Sequence, residues 1–237
     1  SGNLNKRMFK MKSKIIGHRG AKGESPENTL KSIKKALDLG CGGVEIDVHL
    51  SRDEHLMVIH DWTLDRTTSG QGKVKDYTLE ELKKLNAGEG ETIPTLDEVL
   101  NLVKGYKGSV VLIEIKAPGC EKRIIDCVDS LEMKERSIIK CFHHGPLKMI
   151  KDLRPDFKTH CLLYGRPLNP VEIVKAAKSD GLSISHETFD KELVSECLNH
   201  GLEMTVWNAN TVEDMELFKQ MGFHYICTDF PSLFLKK

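Results

Sequence analysis

The stretch Val44-Glu45-Ile46-Asp47-Val48-His49-Leu50 decides the fold, because its apolar and polar residues alternate with a period of two. Successive side chains of a β-strand point to opposite faces, so Glu45, Asp47 and His49 share one face of this predicted strand. The two carboxylates leave the backbone about 6–7 Å apart, which lets both reach one hard cation. Taken alone, the pattern is more typical of an edge strand with a solvated polar face. The rest of the chain therefore has to show whether this polar face binds a cation.

Length and charge narrow the class of protein. The chain has 237 residues, the size of one α/β barrel domain, and its 35 basic and 35 acidic residues leave no net charge. No lysine-rich block alternates with aromatic residues, so we expect no nucleic-acid partner. A small or locally anionic molecule is the expected partner.

The spacing of the cysteines and the hydropathy of the chain indicate in which compartment the protein is expected and whether it inserts into a membrane. The seven cysteines are scattered and never spaced as C-x-x-C, which argues against a disulfide framework and a zinc site and favours a reducing, cytoplasmic compartment. No apolar run reaches the roughly 18–20 residues that span a bilayer, so no stable membrane insertion is expected. The sequence leaves open the oligomeric state and whether a signal peptide precedes Ser1.

Short apolar strands alternate with amphipathic helices along most of the chain. The predicted strands of this series cover residues 14–17, 44–50, 110–116, 138–142, 159–163, 182–184, 203–206 and 225–227. Eight alternating units predict a single (β/α)8 TIM barrel over residues 1–237. A doubly wound open sheet is the weaker alternative, because neither a P-loop nor a G-x-G-x-x-G motif is present.

The first helix is predicted from its capping signals. Ser25 is a suitable N-cap, Pro26 suits the first helical position, and the apolar stripe ends at Gly40.

A polar, glycine-punctuated segment at about 62–108, after a short strand at 56–59, interrupts the β/α alternation. It contains two short helices, each opened by a capping-box pattern, Thr78 with Glu81 and Thr95 with Glu98. An insertion of this length after the second barrel strand predicts a lid or a substrate-contacting subdomain, with a packing flap as the alternative.

Charged residues fall at the C-terminal ends of three neighbouring predicted strands, where active sites of such barrels lie. Glu45, Asp47 and Glu114 offer only oxygen ligands, which suit one divalent cation, Mg²⁺ or Ca²⁺, better than zinc. His18 and His60 flank this place and titrate near neutral pH, as a proton donor and a proton acceptor do.

Two basic residues complete the candidate site. Arg19 offers a forked donor that suits a phosphate, and Lys116 offers a point charge.

These residues resemble the glycerophosphodiester phosphodiesterase family over residues 16–231. The matching motifs are Gly17-His18-Arg19-Gly20, Pro26-Glu27-Asn28-Thr29, Glu45-Ile46-Asp47-Val48, Val58-Ile59-His60-Asp61, Ile93-Pro94-Thr95-Leu96, Glu114-Ile115-Lys116 and Thr228-Asp229-Phe230-Pro231. The resemblance implies a barrel with an inserted segment after its second strand. It also implies a metal on the three acids, catalysis by the two histidines, and phosphate contacts from Arg19 and Lys116.

The chain departs from the family pattern at two places. Residues 206–210 read V-W-N-A-N in place of the usual W-T-V-N, and a cysteine precedes Phe142 where a serine is common. In this resemblance Phe142 and Trp207 lie on the alcohol side of the pocket. The departures therefore concern substrate choice rather than the reaction.

The function implied is metal-dependent hydrolysis of glycerophosphodiesters to glycerol 3-phosphate and an alcohol, with acid–base catalysis by two histidines. One alternative is a lysophospholipase D-like or sphingomyelinase D-like activity on the same scaffold. Another is a catalytically inactive barrel that binds phosphodiesters, although the intact histidines and acids argue against it. The sequence leaves open the head group, the identity of the cation and which histidine is the acid.

Overall fold

The structure, a computed structural model, describes residues 12–235 and contains a closed barrel of eight parallel strands, as predicted. The strands are β1 (Lys14–His18), β2 (Gly43–Leu50), β3 (Leu56–Val58), β4 (Val110–Ile115), β5 (Ser137–Cys141), β6 (Lys158–Leu163), β7 (Gly181–Ser185), β8 (Glu203–Trp207) and β9 (Tyr225–Thr228). Strand β3 pairs antiparallel with β2 and stands outside the ring. The barrel closes because β1 pairs with both β2 and β9.

Strand register brings the polar residues to one level at the carboxyl end of the barrel. His18 of β1 is paired with Glu45 of β2, and Asp47 of β2 is paired with Glu114 of β4. Adjacent parallel strands lie about 4.8 Å apart, so these paired positions are direct neighbours in space.

The helices are α1 (Leu30–Asp38), α2 (Leu79–Lys83), α3 (Leu96–Lys104), α4 (Glu121–Ser130), α5 (His144–Leu153), α6 (Pro170–Ala176), α7 (Lys191–Asn199) and α8 (Val212–Met221). Within residues 12–235, none of the helices combines the length and apolar character needed to cross a bilayer.

Two apolar layers enclose the strands. The main core joins outward-facing strand residues such as Val44, Ile46 and Val48 to the helices. A second cluster, formed by Ile16, Leu112, Ile138, Tyr225 and Cys227, fills the lower interior of the barrel. Because side chains alternate along a strand, the residues that share the inner face with this second cluster form the polar mouth above it.

The predicted start of the first helix is wrong. Helix α1 begins at Leu30, and the side chain of Thr29, not Ser25, caps it by accepting a hydrogen bond from the backbone N–H of Ser32. Asn28, just before the cap, has a left-handed φ of 57° that a helix cannot contain. Tertiary contacts hold it there, because its backbone N–H donates to the carbonyl of Arg19 and its side chain donates to Asp47.

The segment 62–108 contains two differently packed parts. Both predicted capping boxes are present, at the N-termini of α2 and α3. A small separate core packs α2 against the insert, and its members are Met57, Ile59, Leu64, Val74, Leu82, Ala87 and Ile93. The apolar face of α3, in contrast, packs into the main core, so α3 is the outer helix between β2 and β4.

Candidate active site

Three carboxylates meet at the carboxyl end of the barrel. One oxygen each from Glu45, Asp47 and Glu114 lies within 4.8 Å of the other two. The residues are buried, with exposures of 1%, 1% and 7%. Burying three acids together is costly, so positive charge or a proton has to lie close to them.

The donor atoms fit a divalent cation. Glu45 Oε2 and Asp47 Oδ1 are buried and have no hydrogen-bond partner among the described residues. Burial, together with the negative charge of Asp47, raises the pKa of Glu114 to about 8. Three carboxylates form an oxygen-only donor set that suits Mg²⁺ or Ca²⁺. A cation here would give both unpartnered oxygens a partner and favour ionisation of Glu114.

Two lysines compensate part of this negative charge. Lys116 donates to Glu114 Oε1 over 2.9 Å, and its Nζ lies 3.3 Å from His60 Nε2. Lys140 of β5 is buried, and its Nζ lies 3.5 Å from Glu45 Oε1. Sequence reasoning did not select Lys140, although a lone charge inside the apolar run 138–142 was an available signal.

Arg19 follows β1 and lies among the acids. Its Nη1 donates to Glu27 Oε1 over 2.9 Å, and its Nε lies 3.3 Å from Asp47 Oδ2. Burial alone would lower the pKa of Arg19, but the charges of Asp47 and Glu27 outweigh this effect and raise it. Arg19 thus remains a cation at the edge of the three-acid cluster.

His18 is oriented by Asp229, a residue to which the sequence assigned no role. His18 Nδ1 lies 2.6 Å from Asp229 Oδ1, and Asn210 donates to the other carboxylate oxygen over 2.9 Å. Burial would raise the pKa of Asp229, but the hydrogen bond and charge of His18 and the hydrogen bond from Asn210 lower it to about 2. Since an ionised carboxylate only accepts, Nδ1 carries the hydrogen and Nε2, 3.8 Å from Glu45 Oε2, faces the acids.

His60 has a parallel arrangement after β3. Its Nδ1 lies 2.7 Å from Asp61 Oδ1, and Arg66 of the insert donates to both oxygens of Asp61 over 2.8 and 2.9 Å. Burial, with the positive charges of Arg19 and Lys116, lowers the pKa of His60 despite the nearby acids. The lowered pKa favours the neutral imidazole, which is the form that accepts a proton.

Phe142 and Trp207 lie together at the mouth of the barrel. Phe142 follows β5 and Trp207 ends β8, and their ring centroids are 6.0 Å apart in a T-shaped pair. The acids, by contrast, come from β2 and β4. The two rings therefore come from strands other than those that carry the acids.

Comparison with known proteins relates this geometry to a family. The model of the glycerophosphoryl diester phosphodiesterase family matches residues 18–233. A glycerophosphodiester phosphodiesterase of Caldanaerobacter subterraneus is 40% identical over 234 residues, which cover 94% of this chain and 96% of that protein. Another, from Bacillus altitudinis, is 34% identical over 238 residues, with 94% and 97% covered.

Solved structures show the same fold. A phosphodiesterase of Oleispira antarctica in complex with the product sn-glycerol-3-phosphate has a TM-score of 0.84 and 30% identity, with 93% of this chain and 94% of that chain covered. A glycerophosphodiester phosphodiesterase of Thermotoga maritima has a TM-score of 0.80 and 26% identity, with 94% and 96% covered.

Proposed function

The chain belongs to the glycerophosphoryl diester phosphodiesterase family, and on that premise we propose that it hydrolyses glycerophosphodiesters in a reaction that requires one divalent cation, Mg²⁺ or Ca²⁺. The resemblance inferred from the sequence motifs is thereby confirmed, and the chain is an enzyme, a phosphodiesterase. The proposed products are glycerol 3-phosphate and a free alcohol. The observation that carries the proposal is the meeting of Glu45, Asp47 and Glu114 within 4.8 Å, with His18 and His60 beside them.

The three acids are proposed to hold the cation, which when bound supplies electrostatic stabilisation of negative charge on the phosphate. Lys140 forms an ion pair with Glu45, and Asn28 donates a hydrogen bond to Asp47. These contacts hold two of the three acids in place. Lys116 lies between Glu114 and His60, a position from which its positive charge would attract a phosphate oxygen. Arg19 is the second proposed phosphate contact, and Glu27 fixes one of its nitrogens.

The two histidines are proposed to move the protons. An aspartate contacts Nδ1 of each histidine, which orients Nε2 of His18 toward the acids and Nε2 of His60 toward Lys116. A neutral Nε2 accepts a proton from an attacking hydroxyl, and a protonated Nε2 donates one to the departing alcohol oxygen. Because the histidines stand on separate segments, one can accept while the other donates.

The proposed nucleophile is the substrate's own hydroxyl next to the ester oxygen. Its oxygen would bond to phosphorus as one histidine takes its proton, and the P–O bond to the alcohol would break as the other histidine protonates that alcohol. Water then opens the cyclic glycerol phosphate that remains. Well-oriented intramolecular attack can contribute up to about 7–11 kcal/mol. A substrate lacking only the glycerol 2-hydroxyl tests this route, since comparable turnover of that analogue would show direct attack by water.

An activity assay tests the proposed function. Chelator-treated protein should not cleave glycerophosphocholine, and adding Mg²⁺ or Ca²⁺ should restore release of glycerol 3-phosphate. Glu114→Gln should abolish the restored activity, whereas Glu203→Gln, in an acid at the opposite end of the barrel, should keep it. Cleavage only of lysophospholipids or sphingomyelin would favour a phospholipase D-like enzyme. Binding without turnover of any diester would indicate an inactive barrel.

A further inference from the structure

Three aromatic side chains form a surface at the mouth of the barrel that the reaction above does not use. Phe142, Tyr164 and Trp207, here called the aromatic wall, lie at the carboxyl ends of β5, β6 and β8. Trp207 is central, with ring centroids 6.0 Å from Phe142 and 6.4 Å from Tyr164. Phe142 is 44% exposed and Tyr164 is 62% exposed, so ring surface is open to a ligand.

The aromatic wall faces the same interior as the proposed cation site. Trp207 packs against the inner cluster of the barrel, which places its ring over the barrel interior. Phe142 follows Lys140 by two residues, and the Lys140 ammonium reaches to 3.5 Å from Glu45. Phe142 comes directly after β5, and its contact with Trp207, with ring centroids 6.0 Å apart, places it beside the same interior. A diester bound at the acids can therefore extend its alcohol group toward the wall.

A carboxylate lies beside the aromatic wall. Tyr164 donates its hydroxyl hydrogen to Glu187 over 2.9 Å. Because a tyrosine hydroxyl is neutral, this hydrogen bond does not neutralise the carboxylate. Arg166, two residues after Tyr164, forms an ion pair with Asp190 instead. Arg19 and Lys116, which follow β1 and β4, supply positive charge near the proposed phosphate position.

We propose that the aromatic wall binds a quaternary ammonium group on the alcohol, so that the preferred substrates are zwitterionic diesters of the choline type. This inference rests on the proposed function and names the substrate class of the same site. Ring faces attract a weakly hydrated cation, and a nearby carboxylate adds to that attraction. An acyl chain would gain nothing from Glu187, because an apolar group is indifferent to the charge and the carboxylate would lose hydration.

A pair of substrates with one shape isolates the charge. Glycerophosphocholine and its 3,3-dimethylbutyl analogue differ only in a nitrogen replaced by carbon, which removes the positive charge. We expect kcat/KM to favour the charged substrate about tenfold. Equal values, or a preference for the neutral analogue, would overturn the inference and leave the proposed function intact.

Variants locate the source of the preference. Trp207→Leu keeps apolar volume but removes the ring face, and Tyr164→Leu also removes the hydroxyl that holds Glu187; both should bring the charged-to-neutral ratio toward one. Glu187→Gln should lower the ratio about twofold to fivefold. The matched control is Tyr106→Leu, because Tyr106 also bonds an acid, Asp38, but lies on the outer helix layer. A ratio that falls equally in the control would overturn the assignment.

A binding measurement that needs neither the divalent cation nor turnover tests the inference independently. The chain has two tryptophans, so a Trp62→Phe protein reports only on Trp207. Tetramethylammonium chloride should change its fluorescence saturably, whereas sodium chloride at equal ionic strength and neutral tert-butanol should not. An equal response to tert-butanol, or no saturation, would contradict cation binding. If no diester is cleaved at all, the proposed function fails, and this titration still tests whether the aromatic wall binds a quaternary ammonium group.

Discussion

His18 Nδ1 lies 2.6 Å from Asp229 Oδ1, although 211 residues separate the two along the chain. The contact exists because β1 pairs with β9 and so joins the first barrel strand to the last. The closure of the barrel thus completes a histidine–aspartate pair, and His60 with Asp61 forms a second one from neighbouring residues.

The first prediction concerns this long-range pair. Asp229→Asn should lower kcat about a hundredfold or more, because the amide no longer requires Nδ1 to carry the hydrogen and Nε2 loses its defined role. Steady-state kinetics measure the effect, and circular dichroism checks that the barrel stays folded. Unchanged kcat in a folded variant would show that Asp229 does not orient a catalytic histidine.

The second prediction concerns cation affinity. Glu114→Gln should weaken Mg²⁺ or Ca²⁺ binding at least about tenfold, because it removes one of the three charged ligands. Isothermal titration calorimetry of chelator-treated protein measures it, with Glu203→Gln as the matched acid variant. An unchanged dissociation constant would place the cation elsewhere.

The third prediction links the insert to catalysis. Arg66 donates to both oxygens of Asp61 and also to both oxygens of Glu27, the partner of Arg19. Arg66→Gln should therefore reduce kcat about tenfold with little change in thermal stability, since Asp61 and Glu27 lose a shared anchor. Arg66→Lys should recover part of the loss because it keeps the charge but not the fork.

The matched control for Arg66→Gln is Arg52→Gln. Arg52 is an exposed arginine that contacts Asp76 and Glu81 of the same region. If both arginine variants lose the same activity, the insert acts through its folding rather than through Arg66.

The fourth prediction concerns Arg19. Arg19→Lys keeps the charge but loses the fork, so it should reduce kcat/KM about ten- to a hundredfold if Arg19 grips two phosphate oxygens. Inhibition by glycerol 3-phosphate should weaken in parallel. Unaltered kinetics and inhibition would mean that Arg19 only holds Glu27 and Asp47 in place.

The fifth prediction is a pH dependence of stability at the base of the barrel. Buried His160 lies 3.0 Å from Glu203 and 3.1 Å from Thr205. Burial lowers the pKa of His160, although Glu203 acts in the opposite direction. For Glu203, burial would raise the pKa, but hydrogen bonds from His160 and Lys158 hold it at about 2.

Both groups bind fewer protons in the folded than in the unfolded chain, so both make folding less favourable as pH falls. The contribution of His160 is present above its unfolded pKa near 6.5 and is lost below it, and that of Glu203 is lost between about 4.5 and 2. Tm measured from pH 7 to pH 3 should fall less steeply for His160→Asn than for the wild type. Parallel Tm curves would contradict this role of His160.

Several features were predictable because they depend on neighbours in the chain. The alternation of residues 44–50 predicted strand β2 and its polar face, and the two capping boxes predicted the starts of α2 and α3. Repeated strand and helix periods then predicted the barrel. The barrel in turn placed Glu45, Asp47 and Glu114 together, because the carboxyl ends of neighbouring parallel strands lie at one edge.

Other features depended on contacts that local patterns do not encode. Capping statistics favoured Ser25, but Asn28 is held in a left-handed conformation by Arg19 and Asp47, so α1 starts later. Lys140 meets Glu45 only across the barrel interior.

The sequence by itself determined the repeating units and the residue types that a cation, a phosphate and two proton transfers require. Only the tertiary structure decided how these residues pair: Asp229 with His18, Arg66 with Asp61, and Trp207 with Phe142 and Tyr164. The physical reason is that strand and helix periods arise from backbone geometry within a few residues, whereas a hydrogen bond or a ring contact depends on positions set by closure of the whole barrel.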